Sequence, residues 1–336
     1  MPLSCSLFDI EPEYFWTGFW LCAAICGISY NIYVRLTCGK FKEKNVNLDG
    51  KTVLITGANS GLGKETAKYM AKRGARVIMA CRNMKTAEEA RDDIIAYSEN
   101  HKVILQHLDL GSFESIRKFA ARINESERKI DILIHNAGYC GRFKKSVTVE
   151  GIERTMAINV YGPFLLTHLL IDLLKKSAPS KIVIVTSKAH TVSYLNPNNP
   201  SLLNPVNCWL PTSLYANSKF AQFLLSYEMA RRLFGTGVTV NLLHPGTCDS
   251  PIWNNPPLVL KLNIYIMRKF MKTIEQGIQT ILYVSLSKEV DGITGKYYRD
   301  CKPRKSGSKT YNINWQQTMW EASKKMCKIT EKDPQI

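Results

Sequence analysis

The sequence predicts a single doubly wound α/β domain on a mostly seven-stranded parallel sheet, with an N-terminal membrane-anchor helix ahead of it. Three observations carry that reading. Short, nearly continuous apolar runs alternate with longer helix-like stretches across residues 51–300. Such runs belong to strands covered on both faces, and strand–helix alternation implies parallel strands with right-handed crossovers. A glycine-rich turn, Thr56-Gly-Ala-Asn-Ser-Gly-Leu-Gly63, follows the first run. Finally, Tyr14 to Val34 carries no formally charged residue and is dominated by Phe, Trp, Leu, Ile and Ala. That is about the length a bilayer-crossing helix needs.

The chain divides into a tail (1–13), the anchor (14–34), a basic linker (35–50), the folded domain (51–300) and a basic C-terminal extension with a helix (301–336). Acidic residues precede the anchor (Asp9, Glu11, Glu13) and bases follow it (Arg35, Lys40, Lys42, Lys44). That asymmetry argues against a secretory signal and places the body on the cytosolic side of a single pass. Trp16, Trp20, Tyr30 and Tyr33 suit the interfaces. Lying in the membrane without spanning it is the other arrangement open to a segment with Gly18, Gly27 and Asn31.

Within the domain, strands are expected at Lys51–Thr56, Arg76–Ala80, Val103–Leu108, Ile130–His135, Lys181–Thr186, Val238–His244 and Gly295–Tyr298. Helices are expected at Leu62–Arg73 and Met84–Tyr97, among others. A Pro- and Asn-rich stretch at Asn196–Pro211 and an apolar segment at Ile252–Met271 depart from the alternation, and long connections of this kind often act as lids.

The net charge of +17 is high. The bases are scattered rather than interleaved with aromatics, which excludes a recognisable nucleic-acid module. Two concentrations, Arg35–Lys44 and Arg299–Lys328, could instead meet anionic lipid head groups, although solvated lysines explain the second equally well. The ten cysteines form no C-x-x-C pair and no metal-type spacing with histidine, as in a reduced compartment.

The glycine turn lets backbone amides at a helix N-terminus approach a pyrophosphate, and its strand-before, helix-after context makes it a dinucleotide fingerprint. The second strand ends in Cys81-Arg82-Asn83 with no carboxylate. An acid there would hold the ribose hydroxyls of NAD, whereas Arg82 would pair with a 2′-phosphate, favouring NADP(H). Asp109 after the third strand is placed to meet the adenine edge or to cap a helix. Downstream, Tyr215 and Lys219 stand four apart and share a helix face. An ammonium beside a phenol lowers its pKa and fits it for proton transfer.

These motifs, with His135-Asn-Ala-Gly138, Asn159, Ser187 and Pro245-Gly-Thr247, resemble the short-chain dehydrogenase/reductase family over about Lys51–Tyr298. Ala80-Cys-Arg82, Glu150-Gly-Ile-Glu, Ser187-Lys-Ala-His190 and Gly295-Lys-Tyr-Tyr-Arg-Asp-Cys301 look more narrowly like its membrane-bound retinol dehydrogenases. The family usually has Asn where His135 stands. The resemblance implies Tyr215 as general acid/base, and Lys219 on the nicotinamide ribose holding the tyrosine pKa down. It implies Ser187 on the substrate oxygen and Asn159 on a relay water. The implied cofactor shell is Gly57, Asn59, Ser60, Gly61, Leu62, Gly63, Arg82, Asp109, Asn136, Ala137, Gly138, Tyr215, Lys219, Pro245 and Thr247, with no metal. It further implies a lipophilic alcohol or carbonyl substrate lying against the segment after Thr247, an endoplasmic-reticulum membrane, and a homodimer as the assembly to look for. The competing reading is a catalytically silent, membrane-tethered NADP(H)-binding scaffold or sensor.

Overall fold

The structure describes residues 38–43, 45–141, 146–208, 210–249 and 271–336, with isolated positions 25, 29, 33 and 268. In the computed structural model the strands are β1 (Thr52–Thr56), β2 (Arg76–Cys81), β3 (Val103–His107), β4 (Ile132–His135), β5 (Ser180–Val185), β6 (Val238–His244), β7 (Tyr297–Arg299) and β8 (Lys302–Arg304). They form one sheet in the order β3-β2-β1-β4-β5-β6-β7-β8. β1 to β7 pair in parallel. The order reverses between β1 and β4, and in open α/β sheets a ligand crevice forms at such a reversal.

The eighth strand corrects the expected seven. It returns antiparallel to β7, with Tyr298 opposite Pro303. Its sequence, Lys-Pro-Arg, is exposed and has no apolar face to announce it. The two-residue turn, Asp300-Cys301, takes left-handed backbone at both positions, φ 55° each. A primed hairpin turn needs that geometry, and it is usually signalled by Asn-Gly or Asp-Gly rather than Asp-Cys.

Alternate residues of the central strands enter opposite cores, as the period of two requires. Val53, Ile55, Val77 and Met79 face α1 (Gly61–Ala71), α2 (Met84–Ser98) and α6 (Ile274–Leu286). Leu54 and Ile78 face α3 (Phe113–Ser126), α4 (Gly162–Lys176), α5 (Pro211–Arg232) and α7 (Ile313–Met326). The C-terminal helix α7 is thus built into the main core. Trp320 is fully buried, its ring 4.9 Å from Phe164 and 4.6 Å from the Arg232 guanidinium.

The run Arg154–Lys176, of 23 residues, is long and apolar enough to cross a bilayer, but 89% of its most apolar window is buried inside the fold. It is the central core helix. The expected anchor, 14–34, lies outside the described residues except for Ile25, Ser29 and Tyr33.

The linker runs beside α6. Cys38 Sγ donates to Gln276 O at 3.9 Å, Phe41 N to Gln279 Oε1 at 3.1 Å, and Glu43 Oε1 accepts from Ser287 Oγ at 2.8 Å. Gly39 packs directly on the Asp300 carbonyl. Because β7 parallels β6, Asp300 lies at the carboxyl end of the sheet. Residue 38 therefore sits at that end, and the chain descends from it to β1 at the other.

Candidate active site at the carboxyl ends of the strands

The glycine turn is formed by close packing. A Cβ on Gly57 would approach the Ala137 backbone at 3.0 Å, and one on Gly63 would sit 2.3 Å from Gly57 O and 2.4 Å from Asn136 Nδ2. Only glycine fits either place. Asn136 latches the turn, its Nδ2 donating to Thr56 O at 3.0 Å and Gly57 O at 3.3 Å. Thr56 Oγ1 accepts from Asn136 N and Ala137 N at 3.1 Å each. The helix that follows, α1, starts at Gly61; its N-cap Ser60 makes no capping hydrogen bond, and no acid lies in the first turn. Its leading amides are free to take an anion.

Asn59 Nδ2 donates to Thr86 Oγ1 at 3.1 Å, tying the turn to the start of α2. Arg82 immediately precedes that helix, exposed and without an ion pair among the described residues. Asp109 is not a helix cap: Ser112 caps α3, and Asp109 Oδ1 accepts from Gly111 N at 2.8 Å.

Tyr215 and Lys219 lie one turn apart on α5, with Lys219 Nζ 5.4 Å from the Tyr215 ring centre. Ser187, just past β5, hydrogen-bonds the Tyr215 phenol and is fixed by accepting from Ala189 N at 3.2 Å. Its carbonyl accepts from His190 Nδ1 at 2.7 Å, while His190 Nε2 accepts from Gly307 N at 3.1 Å. Those two bonds set the imidazole tautomer and tie the serine loop to the C-terminal extension.

Asn159 sits fully buried in a π-helical turn, Ala157–Tyr161, that leads into α4. Such turns often mark functional sites. Its Oδ1 accepts from Tyr139 N at 2.8 Å, and its Nδ2 donates to Tyr139 O at 2.8 Å and Ser218 Oγ at 2.9 Å. Gln222 Nε2 donates to the Asn159 carbonyl at 2.7 Å, and Gln222 Oε1 accepts from Lys219 Nζ at 3.1 Å. Lys219 also donates to Val185 O at 3.1 Å.

Burial governs the electrostatics of the pair. Burial pushes Tyr215 up to about 12, with the Ser187 hydrogen bond opposing it. Burial likewise pushes Lys219 down to about 7, with Cys140 opposing. Lys219 Nζ lies toward the Tyr215 ring and spends its hydrogen bonds on Val185 and Gln222. Desolvation then dominates both groups.

The expected catalytic four, Tyr215, Lys219, Ser187 and Asn159, converge at the ends of β4, β5 and α5. Gly138 joins them, since a Cβ there would stand 4.0 Å from Lys219 Nζ. Pro245 and Thr247 follow β6, where Thr247 O accepts from Lys272 N at 2.8 Å. The apolar wall expected from Ile252 to Met267 lies outside the described residues. His135 is buried on the structural side, its Nε2 2.8 Å from Thr167 Oγ1. Gln222 and Cys140 went unnoticed in the sequence. Three residues beyond Lys219 on the same helix, Gln222 could have been found by its spacing. Cys140 had no signal of its own.

A family profile described as short chain dehydrogenase matches residues 51–199. Retinol dehydrogenase 12 of Mus musculus is 39% identical over 279 residues, covering 83% of this chain and 87% of that protein. Retinol dehydrogenase 14 of Homo sapiens is 39% identical over 297 residues, with the same coverage of 83% and 87%. Among solved structures, the Pseudomonas aeruginosa RhlG/NADP active-site complex superposes with a TM-score of 0.60 at 25% identity, over 75% of this chain and 94% of that one.

Proposed function

Because the chain belongs to the short-chain dehydrogenase/reductase family of nicotinamide-dependent oxidoreductases, we propose that it is a membrane-anchored, NADPH-dependent reductase of lipophilic aldehydes or ketones. The observation that carries the reading is the Ser187–Tyr215–Lys219 cluster, set at the same end of the sheet as the glycine turn and the uncapped α1 terminus. A phenol placed there gives a proton to a carbonyl oxygen in reduction, the direction for which NADPH, favoured by Arg82, supplies the hydride.

When bound, NADPH supplies hydride from nicotinamide C4. The residues present fit it. The uncapped α1 terminus and the glycine turn would hold the pyrophosphate, and Arg82 would hold the 2′-phosphate. Lys219 would hold the nicotinamide ribose. Ser187 orients the substrate oxygen toward Tyr215 and stabilises charge there. Asn159 fixes the floor of the site through Tyr139 and Ser218.

The lipophilic class is supported by relatives named retinol dehydrogenases and by the apolar composition of 252–267. The anchor reading is supported by Ile25, Ser29 and Tyr33. They lie at helical spacing and are helical in the structure, with Ile25 54% and Tyr33 57% exposed. The family supports an endoplasmic-reticulum location, and the charge asymmetry about residues 14–34 supports a cytosolic domain.

The test is turnover of all-trans-retinal, sterol ketones and isoprenoid aldehydes with NADPH by the purified full-length protein. Tyr215→Phe should cut the rate by roughly 10²–10⁴-fold with NADPH binding intact. NADPH binding with no turnover of any carbonyl would favour the scaffold or sensor.

A further inference from the structure

Beside the point where the chain enters at residue 38 lies an acid-poor, basic arm. From Arg299 to Lys309 the sequence is Arg-Asp-Cys-Lys-Pro-Arg-Lys-Ser-Gly-Ser-Lys, with Asp300 its one acid. That acid is already committed, its carboxylate paired with Lys272 and Arg299. Lys302, Arg304, Lys305 and Lys309 are exposed and make no ion pair among the described residues. Lys40 on the linker is exposed as well, one residue from the contact of Gly39 with Asp300.

Lysine and proline on an edge strand also discourage sheet-to-sheet pairing. That accounts for β8 itself. It does not account for Lys305 and Lys309 beyond the strand, nor for the packing of the linker against this hairpin rather than another edge. A short turn of exposed apolar residues continues the arm, with Tyr311 48% and Ile313 56% exposed.

We propose that the β7–β8 hairpin and the arm after it, together with Lys40, form a docking surface for the anionic head groups of the bilayer that holds the N-terminal segment. The proposal rests on the reading of residues 14–34 as a membrane anchor. The anchor would bring the chain to the carboxyl end of the sheet, where Lys40 and Lys302 flank the contact of Gly39 with Asp300 and would meet the lipid surface, with the rest of the arm following. Each base near an anionic surface favours association by roughly five-fold, and the effect is screened by salt. Docking there would fix which side of the domain faces the membrane.

The experiment reconstitutes the full-length protein in phosphatidylcholine vesicles with and without phosphatidylserine and follows amide hydrogen exchange over 297–313. Docking predicts at least several-fold slower exchange with phosphatidylserine, reversed by high salt. It also predicts loss of that protection in the variant Lys302→Glu, Arg304→Glu, Lys305→Glu, Lys309→Glu. Equal exchange in the two bilayers would overturn the proposal, and the wild-type comparison decides this even if the variant fails to fold. An alkaline carbonate wash separates the two readings: protein that washes off the vesicles refutes the anchor, whereas retained protein with unprotected 297–313 refutes only the docking surface.

Discussion

Gln222 takes the Lys219 ammonium on its side-chain oxygen at 3.1 Å, and the other end of the same amide closes on the Asn159 main chain at 2.7 Å. All three residues are buried. One side chain thus sets where the lysine can reach and what supports the π-helical turn.

Gln222→Leu keeps the volume and removes both bonds. A buried polar group that loses its partner costs about 1–3 kcal/mol; Lys219 keeps Val185 O, so the Asn159 carbonyl bears most of the loss. Urea denaturation should show a loss of roughly 1–3 kcal/mol, with a fall in kcat larger than any rise in KM. Unchanged stability would mean that water replaces the amide at no cost.

The Lys219 ammonium, lowered to about 7 by burial, should give the reductive rate a falling limb as pH rises through that value. Its charge favours the phenolate that forms when Tyr215 releases its proton. Gln222→Glu puts a carboxylate beside Nζ and should move the limb to higher pH. Stability should run the other way. The folded pKa lies below the ordinary 10.5, so the folded state binds fewer protons between 7 and 10.5, and this lysine's penalty is relieved as pH rises through that window. A rate that stays flat from pH 6 to 9 would remove Lys219 from the chemistry.

The buried histidines predict acid sensitivity. Burial lowers His135 and His168 to about 4 and His244 to about 3. Each binds fewer protons folded than unfolded as pH drops below 6.5, so stability is lost on going down through that range. Every tenfold loss of proton affinity on folding corresponds to about 1.4 kcal/mol. Equilibrium unfolding measured stepwise from pH 7 to 4.5 should show the slope, and His135→Asn should remove part of it. An unchanged slope in that variant would assign the sensitivity elsewhere.

Arg82 should decide between the two dinucleotides. Charge-assisted hydrogen bonds contribute about 1.5–3 kcal/mol, so Arg82→Ala should weaken kcat/KM for NADPH by roughly 10–100-fold and leave NADH nearly untouched. Equal losses for both would show that Arg82 supports the turn rather than reading the phosphate.

Much of this was legible in the sequence because strongly local signals carried it. Buried parallel strands are continuous apolar runs, and the glycine turn must be glycine where Gly57 meets Ala137 and Gly63 meets Asn136. The convergence of Ser187 with Tyr215 was legible only through resemblance, since 27 residues lie between them in the chain. The Asp300-Cys301 turn was not legible, because neither residue favours left-handed backbone as glycine does. Nor were the pKa directions, which depend on burial and on where Lys219 spends its hydrogen bonds.

The path of the linker limits geometry more tightly than its length suggests. Were the proposed anchor to end at Val34, four residue steps would reach Cys38, and an extended chain covers at most about 14 Å in that distance. The mouth of the site would then be leashed within a short radius of the lipid surface. Its substrate would be collected from a two-dimensional reservoir, so turnover should track mole fraction in the bilayer rather than concentration in water.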